Sequence, residues 1–343
     1  MAGKKDVQNL RAVAEAAALA GGAHIRNQFL ENPYFILEVQ EKKKDDPVTN
    51  LDVESEALVR EVITTHYPSA RVVGEEAGVQ GSGKDLVWFV DPLDGTGAFV
   101  RRNLAFVTTT VVVADLRSRE VLAGAVYNPF LQLMYSAGRG LKATINGKMT
   151  HPLRSPTLSK ARLLVDFSED HPSGLRNALG TADVTGKVGR ILRYDGSIAQ
   201  HFCMVTQESL HGAMFWGTGS KGNFWDIGAA ALICEEAGLK VTDLRGQPIT
   251  FDSKVMDQVV VAPPALHKEL LEWVAELAIY STPDLLNEEE MVLRFIQTLP
   301  HKVQSRHVRR HFPNWSLAKT SRVLKALTEK GLVRRTGSWY SLG

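Results

Sequence analysis

Val87-Trp88-Phe89-Val90-Asp91-Pro92-Leu93-Asp94-Gly95-Thr96 joins an apolar, strand-like run to two carboxylates and a glycine turn. The β-branched and aromatic residues Val87 to Val90 fit a pleated, buried strand. Beyond them Pro92 fixes the backbone, Gly95 lets an anion approach, and the amides around Gly95 and Thr96 are free to donate to phosphate oxygens. Mg²⁺ binds through a few carboxylates together with substrate phosphate and water, so acids on a stiff turn suit it. Taken alone, Asp-x-x-Asp-Gly also fits an ordinary turn that closes a strand.

The flanking sequence narrows the choice. Upstream, Val72-Val73-Gly74-Glu75-Glu76 reads as a second strand ending in paired acids, and downstream Asn223-Phe224-Trp225-Asp226 opens an Ala-rich helix from Ile227 to Ala237. Gly-Glu-Glu, then Asp-Pro-Leu-Asp-Gly-Thr, then Trp-Asp before a small-residue helix is an order that resembles the inositol monophosphatase superfamily of metal-dependent, lithium-sensitive phosphatases. The likeness runs from about residue 7 to about residue 275. Also matching are Val48-Thr49-Asn50-Leu51-Asp52 with Glu56, the Gly138 to Gly147 stretch ending Ile145-Asn146-Gly147, and Arg193-Tyr194-Asp195-Gly196-Ser197.

The resemblance implies an α/β fold, a layered αβαβα sandwich, and Mg²⁺ as cofactor. It assigns Glu75, Asp91, Asp94 and Asp226 as metal ligands, with the Leu93 carbonyl as a further oxygen. Glu75 and Thr96 then position the attacking water, Asp52 orients Thr96, and the phosphate rests on the Gly95 and Thr96 amides. Glu76 either binds a further metal or stays solvated. Glu41 to Pro47 reads as a solvated charge run; in the family the matching loop closes on the site, with Lys44 and Asp45 as its candidates here.

Substrate choice is where the chain departs from the pattern. Classical inositol phosphatases carry a Glu seven residues before the Trp-Asp aspartate, aimed at a substrate hydroxyl; here Gly219 stands there. Losing such an acceptor weakens polyol specificity. Lys221 and Arg193 are the candidate substrate contacts, while Arg101 and Arg102 read as surface residues. Inositol phosphates, sugar bisphosphates and nucleotide 3′,5′-bisphosphates all remain open as substrates.

The chain of 343 residues, with 40 basic and 38 acidic, has no strong charge bias overall, and Cys203 and Cys234 read as small core residues of a cytoplasmic protein. No uninterrupted apolar run approaches the ~18 residues of a membrane span. Charge is nevertheless uneven: residues 286–343 hold eleven Lys and Arg against four Glu, +7, leaving −5 for residues 1–285. A boundary at Ser281-Thr282-Pro283-Asp284 divides a catalytic domain, 1–280, from a basic domain, 285–343.

In the larger domain, helices are expected at 7–29, 51–66, 196–208, 225–237 and 265–278. Strands are expected at 71–74, 87–90, 106–114, 121–127, 133–136, 162–166 and 257–262. In the tail, an apolar stripe from Val292 to Leu299, a second helix from Val303 to Phe312, a third helix capped by Ser316, and a hairpin about Thr336-Gly337-Ser338 resemble a winged helix-turn-helix. Lys319, Arg322, Arg334 and Arg335 are its candidate nucleic-acid contacts. The other use of such a tail is packing on the phosphatase unit or dimerisation, the second of which gives a homodimer. For the whole chain the competing reading is a nucleic-acid-binding regulator that senses a phosphorylated metabolite.

Overall fold

The computed structural model describes residues 4–31, 39–43, 46–167, 173–216, 223–251, 258–277, 292, 295–296, 302–312 and 315–342. The chain forms two compact units, Met1–His171 with Leu179–Glu272, and Pro172–Ala178 with Trp273–Gly343. The boundary expected at 281–284 lies outside the described residues.

The first unit opens with α1 (Lys4–Glu31), the antiparallel pair β1 (Val39–Lys43) and β2 (Asp46–Thr49), and α2 (Asn50–His66). An eight-stranded sheet follows: β3 (Arg71–Gly74), β4 (Gly78–Gln80), β5 (Leu86–Asp94), β6 (Thr108–Asp115), β7 (Val121–Asn128), β8 (Leu133–Gly138), β9 (Thr144–Ile145) and β10 (Lys148–Met149), with α3 (Thr96–Val100) between β5 and β6. Its order is β10-β9-β8-β7-β6-β5-β3-β4, and β3 and β5 run parallel. The remaining elements are β11 (Arg162–Phe167), α4 (Ser173–Val184), β12 (Arg190–Leu192), α5 (Ile198–Cys203), β13 (Gly212–Trp216), α6 (Phe224–Glu236), β14 (Lys240–Asp243), β15 (Gln258–Ala262) and α7 (Pro264–Leu277). Their five strands form a second sheet, ordered β12-β11-β13-β15-β14.

Layering follows from which side chains each strand offers to each face. On β6, Val111 and Val113 join the core made by α1 and α2 with Trp88 and Val90, whereas Val112 joins the core beneath α5 and α6. A strand covered on both faces needs an unbroken apolar run, and Val111-Val112-Val113-Ala114 supplies it. Helix α6 is buried nearly all round because it lies between the two sheets, with Ile227, Ala230 and Ile233 in the same core as Leu164, Ala213 and Val259. Beyond the second sheet the start of α7 meets β14, where His267 Nε2 lies 2.9 Å from Thr242 Oγ1.

Four local expectations change. Residues 91–94 are not a turn after the strand; they continue β5 through a bulge. The helix expected over 196–208 ends at Cys203 and tightens into a 3₁₀ turn, Met204–Gln207, with Glu208 at φ 60°. Strand β13 was not anticipated, because Gly212-Ala213-Met214-Phe215-Trp216 is buried throughout and shows no alternation. Val303 does not begin a helix: Val303–Gln304 is a strand paired to Tyr340 and Trp339, and the helix runs from Ser305 to His311.

In the second unit, strands Val303–Gln304, Val333–Thr336 and Trp339–Leu342 form an antiparallel sheet with the last strand in the middle. Helices Ser305–His311 and Leu317–Glu329 come between its first two strands in the chain. Val308, Phe312, Leu324, Leu327 and Tyr340 share their core. The Ser316 hydroxyl caps the longer helix by accepting the Lys319 N–H at 3.1 Å.

Candidate active site

A bulge places the two aspartates of the opening motif on one face. Side chains alternate along a strand, so residues three apart face opposite ways. Between Asp91 and Asp94 the register shifts: Asp91 pairs with Thr110 and Asp94 with Thr108, two positions on β6 against three on β5. The extra residue restores a common face. Pro92, which has no N–H to give a ladder, sits within the bulge. On that face Thr110 donates its hydroxyl to the Trp225 carbonyl, which brings the first turn of α6 and Asp226 alongside.

Glu75 arrives from the parallel neighbour β3, its N–H donating to the Val90 carbonyl at 3.2 Å. Carboxylate oxygens of Glu75, Asp91 and Asp226 lie within 4.8 Å of one another. Asp94 stands outside this trio. Its Oδ2 accepts from the Ser197 hydroxyl and from the Ala199 N–H at 3.1 Å, and its Oδ1 takes part in neither bond. Asp91 Oδ1 accepts the Leu93 N–H at 2.9 Å, and Asp226 Oδ2 accepts the Asn223 N–H at 2.6 Å. These bonds anchor the three aspartates.

Burial raises the pKa of all three aspartates, and the neighbouring carboxylates raise those of Asp91 and Asp226 further. Like charges gathered in a dry site stay ionised only with a compensating charge. An all-oxygen donor set with surplus negative charge fits a hard divalent cation, whose own charge reverses that effect.

Beside the acids, the Thr96 hydroxyl lies 3.1 Å from Asp52 Oδ1 and 2.9 Å from the Leu93 carbonyl. Asp52 is buried, accepts the Thr49 N–H and hydroxyl at 2.8 and 2.6 Å, and so caps α2 as well. Burial pushes its pKa up to about 7. Gly95 adopts φ 92°, and a Cβ there would lie 2.6 Å from the Phe106 carbonyl and 2.8 Å from the Ser197 nitrogen. Glycine is therefore required by both conformation and space.

Other sequence candidates are placed differently. Lys44, Asp45, Gly219 and Lys221 lie outside the described residues, the first two between β1 and β2. Arg193 is exposed between β12 and α5. The Arg101 Nε donates to Asp195 at 2.9 Å across the surface. Glu76 is half-buried, not fully solvated. Lys319 lies 4.7 Å over the Trp315 ring, and Arg322, Arg334 and Arg335 are exposed. Ser197, which binds Asp94, and Arg60, which pairs with Glu56, also belong to the site; the polar series Asp52, Glu56, Arg60, spaced by four on one helix, is the sequence signal for the second.

Residues 6–279 match the model of the inositol monophosphatase family. The chain belongs to that family. Its inositol monophosphatase relatives include the fructose-1,6-bisphosphatase/inositol-1-monophosphatase of Aquifex aeolicus, 33% identical over 76% of this chain and 93% of the relative. The Nus factor SuhB of Vibrio cholerae is 31% identical over 77% of this chain and 95% of that protein. Among solved structures, the extragenic suppressor protein suhB of Bartonella henselae superposes with a TM-score of 0.67 at 22% identity, covering 77% of this chain and 97% of that one. The protein is thus a phosphatase of a metal-dependent inositol monophosphatase family, with a mixed α/β fold. Among the described residues no helix is long and apolar enough to cross a membrane.

Proposed function

We propose that the protein is a Mg²⁺-dependent phosphomonoesterase whose preferred substrate is a small metabolite with a second anionic group, a sugar bisphosphate or a nucleotide 3′,5′-bisphosphate. The observation that carries the reaction is the approach of Glu75, Asp91 and Asp226 to within 4.8 Å, with Asp94 on the same strand face. Glu75, Asp91, Asp94, Asp226 and the Leu93 carbonyl would hold the metal. When bound there, Mg²⁺ would supply positive charge against that building up on the phosphate and would make water a better nucleophile. The Gly95 and Thr96 amides receive the phosphate. Thr96 has one hydroxyl proton, directed at Asp52 or the Leu93 carbonyl, so its oxygen can accept a hydrogen bond from the attacking water; Glu75 would take the one proton the water loses as its oxygen bonds to phosphorus, and the ester oxygen would leave with the electron pair of the broken P–O bond and be protonated from solvent.

The substrate preference rests on Gly219 replacing a hydroxyl acceptor and on the charge of Lys221; the name of the Aquifex relative carries both a bisphosphatase and an inositol-1-monophosphatase activity. The test is phosphate release from inositol 1-phosphate, fructose 1,6-bisphosphate and 3′-phosphoadenosine 5′-phosphate, with and without Mg²⁺ and then with Li⁺. A bisphosphate should be best, and Lys221→Ala should raise its KM more than it lowers kcat. Inositol 1-phosphate as the best substrate overturns the preference, and metal-independent release overturns the mechanism.

A second reading concerns residues 285–343, which we propose form a winged helix that binds duplex nucleic acid. Its support is the strand, helix, helix, strand, strand order with the last strand central, together with the exposed Arg322, Arg334 and Arg335. In such a domain the second helix of the pair enters the major groove while the basic hairpin meets phosphates.

A further inference from the structure

Glu75 reaches the acid cluster from the loop after β3, and a buried ion pair on α2 grips that loop. Glu56 and Arg60 stand one turn apart, their side chains 1% and 8% exposed. Arg60 Nε donates to Glu56 Oε1 at 2.7 Å, its Nη2 to the Gly78 carbonyl at 2.7 Å, and its Nη1 to the Val72 carbonyl at 3.3 Å. Glu56 in turn accepts the Glu76 N–H on Oε2 at 2.7 Å and the Ala77 N–H on Oε1 at 3.0 Å. One charge pair thereby ties down segment 72–78 before, within and after the turn that carries Glu75. Gly74 contributes by lacking a side chain, since a Cβ there would lie 2.3 Å from Glu56 Oε1 and 2.5 Å from Arg60 Nη2. Charge-assisted bonds to backbone, away from water, are stiff and directional.

We propose that Glu56 and Arg60 are positioning residues for the metal centre: they set the backbone that aims Glu75 at Asp91 and Asp226, and so set divalent-ion affinity. The inference rests on Glu75 being a metal ligand, as proposed above. Asp52 lies one turn before Glu56, so a single face of α2 holds Thr96 through Asp52 and the Glu75 loop through Glu56. The helix acts as a common ruler for water-positioning and metal-holding groups.

The test uses the full chain, first without substrate and then in turnover. Mn²⁺ binding is measured by calorimetry on the wild type, Glu56→Gln and Glu75→Gln, with thermal melting as the control for folding. Glu56→Gln keeps the shape but sets an NH₂ against a loop N–H, so its dissociation constant should rise about tenfold, equal to ~1.4 kcal/mol. In turnover assays the Mg²⁺ concentration for half-maximal activity should rise by the same factor and the substrate KM should stay within about twofold, while kcat falls as well, because the misaimed Glu75 is also the proposed proton acceptor. Should Glu56→Gln fail to fold, Arg60→Lys, which keeps the charge but loses the reach to Gly78 and Val72, must show the same rise. Wild-type affinity in a folded Glu56 or Arg60 variant, with binding lost in Glu75→Gln, overturns the positioning role alone. Unchanged Mn²⁺ binding in Glu75→Gln overturns the metal-site reading beneath it.

Discussion

The Thr96 hydroxyl lies 3.1 Å from Asp52 Oδ1, linking the start of α3 to the first turn of α2 across 44 residues of chain. Asp52 also caps its own helix through Thr49. One buried carboxylate therefore both ends a helix and directs a hydroxyl beside the acid cluster. Asp52→Asn should keep the fold but let the amide donate to Thr96, turning its lone pairs away from the water. We expect kcat to fall about 10²-fold, the scale of a lost proton acceptor, with KM little changed. Unaltered kcat in the folded variant counts against the role.

Asp91→Asn removes a charge from a site where Glu75, Asp94 and Asp226 raise its pKa alongside burial. Turnover with Mg²⁺ should drop about 10²-fold or more, since metal stabilisation is worth several kcal/mol. In a chelator, however, the variant should melt no lower than the wild type, because burial and the neighbouring acids already disfavour an ionised Asp91 there and the amide carries no charge. Phosphate release and thermal melting check both halves, and wild-type turnover refutes the assignment.

Metal removal should cost more stability as pH rises. Burial holds the folded pKa values of Asp91, Asp94 and Asp226 above their unfolded values, so the metal-free fold binds protons that the unfolded chain has lost. That contribution is present below the unfolded carboxylate range and is lost as pH climbs through the raised values. A divalent ion displaces those protons, so the gap between unfolding midpoints with Mn²⁺ and with chelator should widen from about pH 5 to about pH 8. A gap that narrows contradicts the site.

His267 provides a change of opposite sign. Burial pushes its pKa down to about 4, with Lys240 adding to the shift, and Thr242 shares its hydrogen bond. The unfolded chain takes up a proton near 6.5, which the folded chain refuses until about 4. Stability should therefore fall as pH drops across that window. In His267→Gln, urea midpoints measured with Mn²⁺ present should be flatter over the same range; an equally steep fall removes His267 as the cause.

Binding of the full chain to duplex DNA should weaken steeply with salt, because each neutralised phosphate releases counterions. Arg334→Ala with Arg335→Ala should weaken binding on all sequences and flatten the log–log salt slope by about one unit per lost contact. Phosphatase activity should be unchanged in the double variant, since the proposed ligands lie upstream of residue 227. Absence of binding at low salt, with a monomer appearing on deletion of residues 285–343, identifies an oligomerisation element instead.

The order of the acids and the elements that bear them can be read from neighbouring residues alone. Glu75, Asp91 and Asp226 were legible because each sits beside a local signal: β-branched runs before the first two, and an Asn-led, Ala-rich helix after the third. The Ser316 cap and the hairpin at Gly337 were legible for the same reason. How the acids meet depends on contacts between segments far apart in the chain. The bulge at Pro92 is a register relation with β6, the bond from Ser197 to Asp94 spans 103 residues, and the Glu56–Arg60 grip depends on where the loop after β3 passes over α2. Val303 became a strand because Tyr340 pairs with it from the far end of the tail. Periodicity and capping are written in neighbouring residues, whereas register, close approach and shared burial arise only when distant segments exclude water together.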